Sequence, residues 1–599
     1  MVDPTGSETY TYDAGGRVRN LAKVVNGQTF NIGYLYDASG DVTQITYPSG
    51  RVVQQAYNAV GQLCEIAPTA SGCGDSTYYA GGFSYNAPGK LTGFTYGNGV
   101  TGTFLYSPDR TQLTYLAYAK GSSTYFNLQY SYRSGSQYSP PCPTGTAGNN
   151  GSVQCIMDNV NTGRTVNYSY DPLKRMNAAQ TCGSSQFSQW GLTESYDRFG
   201  NRLSQTFTVG SGPNPNMSFN GNNQPVGYTF DPSGNMTVEP LSPQNQMTYD
   251  GENRMTAFQG FGGAASYSYD GNGMRVVKSV SGEVTTVSIF SGSSVIAEYD
   301  NGAATNSPTR EYIYNGAGDT TGLLAMFSGG DTTYYHQDHL SVRLTTDGTS
   351  GSPTYGQMLT QQGTFPFGES WYSNLGPGEN WIFTSYDRDE ESGLDYALAR
   401  YYDSRTGTFC SADPLAGDPS DPQSWNRYPY GRNDPIDLTD PSGQHWWNWL
   451  LDAAGITAIV FAPEIDEFLG ELFPESDAAF VAEPAANEGG TFAGLLTRGA
   501  TAAATAAEGA GDATARRAIR ARWCRVNSRS TSRAIYRPAE ETDDPIWCDA
   551  PTIFATSNRQ RRNKIDRQRN EADSSLACMP QERLEDSNSE SGCCRGGKC

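Results

Sequence analysis

Histidines are scarce in this chain, and two of them stand close together. There are three histidines, His336, His339 and His445. His336 and His339 flank Asp338, and two imidazoles beside one carboxylate suit a metal ion. The alternative is a pair of buried, hydrogen-bonded rings. No Cys-x-x-Cys with a partner His or Cys supports a zinc site. Of the 12 cysteines, Cys64/Cys73 and Cys142/Cys155 flank short Gly- and Pro-rich loops. They are spaced for local disulfides, which would fit an exported protein, or stand as thiols. Cys182, Cys410 and the tail cysteines Cys593, Cys594 and Cys599 suggest no pairing.

Most of the chain before His336 and His339 is built on a repeated element. A Tyr-Asp-x-x-Gly unit recurs at Tyr12-Asp13, Tyr36-Asp37, Tyr196-Asp197 and Tyr269-Asp270, each followed by Gly three residues after the Asp. Softer copies begin at Tyr57-Asn58, Tyr85-Asn86 and Phe230-Asp231. The shorter intervals, of about 20–25 residues, are those of a repeat array. Asp or Asn suits the first position of a type I turn, where its side chain accepts a local N–H, and Gly suits the fourth. The Tyr belongs on a strand, and alternation resumes after each Gly, as in Asp41-Val42-Thr43-Gln44-Ile45. Each unit is therefore a strand, a turn and a strand. A lone hairpin is marginal in water, so the copies must pair into a long antiparallel sheet.

Composition agrees. With 68 Gly, 38 Tyr and only 41 Lys plus Arg in 599 residues, the chain has a β composition. Its net charge of −21 argues against nucleic-acid binding by the body of the protein. Aromatics are 12% of residues. Rows of exposed rings would bind sugars, whereas packed rings would fill the sheet faces with hydroxyls laddering between strands; the second is expected. Met1-Val2-Asp3-Pro4-Thr5-Gly6 has no basic stretch followed by an apolar one, so it is not a signal peptide of the general secretory type. Either an upstream portion is missing or export takes another route.

From Tyr334 the motifs become specific. In order come Tyr334-Tyr335-His336-Gln337-Asp338-His339-Leu340, Phe365-Pro366-Phe367-Gly368-Glu369, Arg388 through Leu394, and Ala399-Arg400-Tyr401-Tyr402-Asp403. Ser411-Ala412-Asp413-Pro414, Asn426-Arg427-Tyr428 and Asp440-Pro441-Ser442-Gly443 follow. This series resembles the core domain of RHS/YD-repeat proteins, and the resemblance covers roughly residues 8–443. It implies an all-β fold, a strip of hairpins spiralling into a shell. YD repeats would occupy 8–333, the core domain 334–443, and a variable, mostly helical or disordered tail 445–599. In bacteria such shells commonly hold a C-terminal toxin until its delivery to a neighbouring cell. The implied partners are the chain's own passenger, an immunity protein and secretion-system components, and the implied location is outside the cell or on its surface. The two histidines belong to the family signature and carry no metal role there, so buried rings are expected. No cofactor is expected.

The resemblance also implies self-cleavage. The family's core ends in Pro-x-x-x-x-Asp-Pro-x-Gly-Leu and cuts itself after the Leu by aspartyl-protease-like chemistry. Pro435 and Asp440-Pro441-Ser442-Gly443 match; Asp413 would be the second carboxylate and Gln444–His445 the bond. Two close carboxylates would share one proton, one acting as base and the other as acid. Gln444 departs from the family's Leu and would dock less well in an apolar pocket. Asp440-Pro441-Ser442-Gly443 also has the turn grammar of Asp231-Pro232-Ser233-Gly234, which has no catalytic claim.

After Gly443 the pattern changes. Residues 446–462 are apolar with helical spacing, at the short limit for a bilayer span; a helix packed inside the shell is the preferred reading and a membrane-entry helix the other. Arg516 to Arg537 hold eight Arg and no acid, suited to an anionic partner or to a solvated stretch. No folded nuclease signature is visible in the tail. The leading expectation is a toxin-carrying shell. The rivals are a wall-associated, carbohydrate-binding adhesion protein and an orphan fragment with an inactive tail.

Overall fold

The computed structural model describes residues 1–444, except 70–71, 75–76, 134–147, 242–243, 316–321, 376–379, 385, 415–416 and 418–421, together with the backbone of Trp447–Asn448. Among the described residues there is no α-helix, only strands and short 3-10 turns. Two large antiparallel sheets dominate. Seventeen strands, from Val2–Asp3 to Arg202–Val209, form the first, and fourteen, from Thr229–Phe230 to Ser370–Ser373, form the second. Within each of them every strand pairs with the next in sequence, as Val18–Val25 with Gln28–Tyr36, so each sheet is a continuous meander.

The repeated unit builds the turns as expected. The Asp37 carboxylate accepts the N–H groups of Ser39, Gly40 and Asp41 at 2.8, 2.9 and 3.0 Å. Gly16 donates to the Asp13 carbonyl at 3.1 Å and sits at φ 80°, a left-handed conformation that favours Gly. A bulge falls at the repeat Tyr: the register shifts at Thr11/Tyr12, Leu35/Tyr36 and Ser268/Tyr269. That bulge aims the ring across the neighbouring hairpin. The hydroxyls of Tyr36, Tyr57, Tyr85, Tyr170 and Tyr196 donate to the carbonyls of Val18, Val42, Leu63, Val153 and Met176 at 2.6–3.0 Å. The expected tyrosine ladder is present, and it binds each repeat to the one before.

The strip also returns upon itself. Lys23 forms buried ion pairs with Glu8 and with Asp270 of the second sheet. Tyr47 donates to the Tyr312 carbonyl at 2.8 Å, Tyr96 to that of Tyr335 at 2.9 Å, and Tyr118 to that of Gln337 at 2.9 Å. These partners lie 219–265 residues apart, so one circuit of the spiral takes roughly one sheet. The largest apolar cluster draws on both sheets and includes Phe30, Ile32, Ile66, Tyr299, Ile313 and Phe367. The fold is the expected all-β spiralling hairpin shell.

Cys64 and Cys73 form a disulfide with Cα atoms 5.4 Å apart. Cys155 is also disulfide-bonded; Cys142 lies outside the described residues.

One expectation is corrected. The helical reading that starts at His445 fails at Trp447–Asn448, which pair as a short strand with Leu438–Thr439. The Asp440 turn sends the chain back along itself there, and tryptophan suits a strand. The rest of 445–599, with its apolar and arginine-rich stretches, lies outside the described residues. Among the described residues no helix is long and apolar enough to cross a membrane.

Candidate functional site

Beyond the large sheets, Asp387–Arg388, Asp395–Ala397, Arg400–Asp403 and Thr408–Phe409 form a four-stranded sheet. A tight turn through Leu398, at φ 59°, pairs Ala397 with Arg400. It points the Arg400 side chain inward, where it is buried with its guanidinium carbon 3.7 Å from the centre of the Phe409 ring.

This guanidinium brings the two predicted carboxylates together. Its Nη2 lies 3.0 Å from Asp413 Oδ2 and 3.2 Å from Asp440 Oδ2. Nη1 donates to the Arg427 carbonyl at 3.0 Å, and Nε to the Gly443 carbonyl. Burial pulls the Arg400 pKa below its ordinary value, against the attraction of Asp413 and Asp440. Arg427 fastens Asp413 from the other side, its Nη1 donating to the Asp413 carbonyl at 3.0 Å. A cation therefore stands between carboxylates that the sequence reading had sharing a proton.

The segment after Asp440 is pinned along its length. Tyr386 donates its hydroxyl proton to the Asp440 carbonyl, and Ala399 its N–H to the Ser442 carbonyl at 3.1 Å. The Gln444 N–H donates to Asp440 Oδ1 at 3.0 Å and lies 3.3 Å from Ser442 Oγ. Gly443 is buried at φ 71°, where a Cβ would stand 2.4 Å from the Ala397 carbonyl oxygen, so this position admits only glycine. The Asp231 turn shows what is special here. Asp231 likewise accepts the N–H groups of Ser233 and Asn235 at 2.9 Å, but its other oxygen meets only the Asn235 amide, not an arginine.

Arg400 and Tyr386 were missed in the sequence, although both lie within or beside its motifs. Arg400 is the sole cation of Ala399-Arg400-Tyr401-Tyr402-Asp403, between two acidic motifs, and that was the available signal. A second carboxyl pair was missed as well. Asp434 and Asp437 are buried; Asp437 Oδ1 accepts the Val153 N–H at 2.9 Å, and the Asp437 N–H donates to Asp434 Oδ1 at 3.1 Å. Burial raises both acids, Asp437 to about 6 and Asp434 well above its ordinary value. Of the two pairs, this one fits a shared proton.

The histidines are buried rings, as expected. His336 Nε2 lies 2.8 Å from Thr346 Oγ1, with the Tyr96 ring 4.4 Å away, and burial lowers its pKa to about 3. His339 Nδ1 lies 3.0 Å from the Tyr130 hydroxyl, and burial lowers it to about 4. Asp338 is taken by Arg343 at 2.6 Å. Among the described residues no group of three His, Cys, Asp or Glu could hold a metal ion. His445 lies outside the described residues.

A spiralling strip of Tyr-Asp-x-x-Gly hairpins that ends in a small sheet is the architecture of RHS/YD-repeat proteins, and this chain carries an RHS repeat and shares that fold. The RHS Repeat family model matches residues 36–70. The chain is 33% identical over 272 residues to the tRNA3(Ser)-specific nuclease WapA of Bacillus spizizenii, covering 44% of this chain and 11% of that protein. It is 32% identical over 272 residues to the tRNA nuclease WapA of Bacillus subtilis, with the same coverage of 44% and 11%. It thus spans about a tenth of the length of these relatives. The crystal structure of TcdB2-TccC3 superposes with a TM-score of 0.58 at 18% identity, covering 74% of this chain and 24% of that one. The Photorhabdus luminescens Tc holotoxin pore gives 0.57 at 18%, with coverage of 72% and 23%. At such identity the likeness is one of fold.

Proposed function

We propose that this protein is the shell and core end of an exported bacterial toxin carrier, which cleaves itself where the core meets a C-terminal passenger. Residues 8–333 form the repeat shell, 334–443 the core, and 445–599 the passenger, a toxin used against neighbouring cells. The observation that carries the reading is Arg400, which holds Asp413 and Asp440 on one nitrogen and the Gly443 carbonyl on another. Two carboxylates and a cation at the end of a pinned strand are groups that peptide hydrolysis uses. A turn with a purely architectural task, such as that at Asp231, needs none of them.

The shell fold and the sequence relation to proteins named as nucleases support the passenger's role as a toxin. Carriage in such a shell implies an immunity protein in the producing cell and an export machine, and the disulfides suit an oxidising exterior.

Expression of residues 1–599 followed by a denaturing gel tests the cleavage. The expected result is two fragments meeting at the 443–445 boundary, lost on Asp440→Asn. A single full-length band, unchanged by that substitution, would refute it. Induction of residues 445–599 alone in a test bacterium, with expression confirmed, should arrest growth; normal growth would refute the toxin role.

A further inference from the structure

We propose that a cavity between the second large sheet and the small four-stranded sheet is a binding site for a small organic cation, an amine or a guanidinium. The inference goes beyond the carrier reading above and does not depend on self-cleavage.

The cavity has a volume of about 200 Å³. One wall is made by the strands Arg275–Val280, Thr285–Ser291, Ser294–Asp300 and Arg310–Tyr314, and the facing wall by Asp387 and Tyr396 of the small sheet. A cavity of about 150 Å³ already admits benzene, so there is room here for a short amine.

The lining holds six carboxylates and three cations. The cations are already taken. Arg275 pairs with Asp387 and Asp389, Lys278 with Asp389 and Glu391, and Arg310 with Glu298 and Asp300, all at 2.5–3.4 Å. The carboxylates have oxygens to spare. Asp387 uses Oδ2 for Arg275 at 3.0 Å, and Glu298 uses Oε2 for Arg310 and for the Tyr312 hydroxyl at 2.6 and 2.8 Å. Among the described residues no donor reaches Asp387 Oδ1 or Glu298 Oε1. The exposed Glu283 and Glu390 add two further carboxylates that form no ion pair among the described residues. An ionised carboxylate accepts hydrogen bonds and cannot donate. A ligand that completes this lining must therefore bring donors, and the surplus of negative charge selects a cation.

Aromatic rings stand beside these oxygens. Trp381 pairs with Asp387 in an antiparallel bridge, which sets indole and carboxylate next to each other. The Tyr312 ring meets the Trp381 ring nearly edge-on, with centres 5.9 Å apart and planes at 79°. A carboxylate beside two aromatic rings is an arrangement that holds an ammonium or guanidinium group. The electrostatics agree. Burial pushes the Asp387 pKa up to about 6, with Asp389 and Glu298 adding to the rise and Lys278 and Arg275 opposing it. A ligand cation beside Asp387 would bring that value down.

Calorimetric titration of the full chain with the diamine putrescine and with agmatine, which carries a guanidinium, tests this at neutral pH. At least one should bind at a single site with a dissociation constant below about 1 mM. Butanediol, which keeps the length of putrescine and lacks its charges, should not bind. Asp387→Asn should weaken the amine about tenfold or more, with an unchanged unfolding midpoint as the control for folding. Trp381→Leu leaves every ion pair in place and should weaken it about fivefold; it decides the matter if the Asp387 variant unfolds early. Affinity should also fall as pH drops below about 6, where Asp387 takes up a proton. No binding of either amine, equal binding of butanediol, or an affinity that neither variant changes would overturn the inference.

Discussion

The Tyr96 hydroxyl donates to the backbone carbonyl of Tyr335, 2.9 Å away in space and 239 residues further along the chain. The two rings it joins belong to successive circuits of one strip. Tyr47–Tyr312 and Tyr118–Gln337 repeat the same bond on either side. A buried phenol must find an acceptor, and the carbonyls at the edge of the next circuit provide one. Tyrosine thus has two tasks: at the repeat positions, such as Tyr36 and Tyr196, it ties hairpin to hairpin, and at Tyr47, Tyr96 and Tyr118 it ties one circuit to the next.

Removing one such hydroxyl should therefore cost stability in a way that ring packing cannot recover. Tyr96→Phe keeps the ring against His336 and Tyr334 but leaves the Tyr335 carbonyl without this donor. A loss of about 1–2 kcal/mol is expected in urea unfolding. The same change at Tyr12, which is exposed, should cost under about 0.5 kcal/mol. Equal costs at both positions would show that the cross-circuit bond contributes nothing.

How much of this was legible follows from distance along the chain. The Asp37 turn could be read because all its partners lie within four residues. Strand order could be read because every strand pairs with its neighbour. The Tyr47–Tyr312 bond could not, since any tyrosine might face a carbonyl 265 residues away. At the site, Asp413 and Asp440 were named from their motifs, yet the group that joins them was not. Arg400 acts by meeting three separate segments at once, and no spacing rule encodes that. The Trp447–Asn448 strand was missed for a related reason: an apolar stretch reads as a helix until a partner strand claims it.

The Asp434–Asp437 pair should make stability fall as pH rises. Burial lifts Asp437 from the ordinary 3.8 to about 6, and it also raises Asp434 well above its ordinary value. The folded protein thus holds a proton that the unfolded chain gives up near pH 4. That stabilisation is present in full below pH 4 and is lost as pH climbs through about 6. His336 opposes it. With its pKa lowered to about 3, the folded state refuses a proton that the unfolded chain takes below about 6.5, so this contribution is lost on acidification. Asp437→Asn should make the first slope shallower and raise the melting temperature at pH 7, with Glu239, Glu369 and Asp387, which burial also raises, keeping the rest of it; His336→Gln should make the second shallower, with His339 keeping its share. Melting curves from pH 4 to 8 decide this, and parallel curves for Asp437→Asn and the parent would refute the pair's role.

The Cys64–Cys73 disulfide closes a short loop, nine residues in sequence separation. Loop-closure entropy puts its contribution at about 2–3 kcal/mol. Replacing both cysteines by serine should lower stability by that amount under oxidising conditions and by nothing further under reducing ones. If the parent shows no loss on adding reductant while the bond is confirmed broken, the loop is held by its other contacts.

Arg400 offers the sharpest test of the site, because its contribution depends on what it faces. Arg400→Ala leaves the Asp413 and Asp440 carboxylates without the cation that bridges them, and stranding buried charge typically costs about 3–5 kcal/mol. Asp440→Asn alone removes one carboxylate and leaves Arg400 with Asp413. In the double variant the stranded charge at position 440 is gone, so the cost should fall well below the sum of the two single costs, by about 1 kcal/mol or more. Urea unfolding of the four proteins measures that coupling. Cleavage supplies an independent reading: Arg400→Lys keeps a charge but lacks the planar fork that reaches Asp413, Asp440 and the Gly443 carbonyl together, so it should recover part of the stability and none of the cutting. Full cleavage with lysine would mean that charge alone suffices and that the three-way geometry is architecture only.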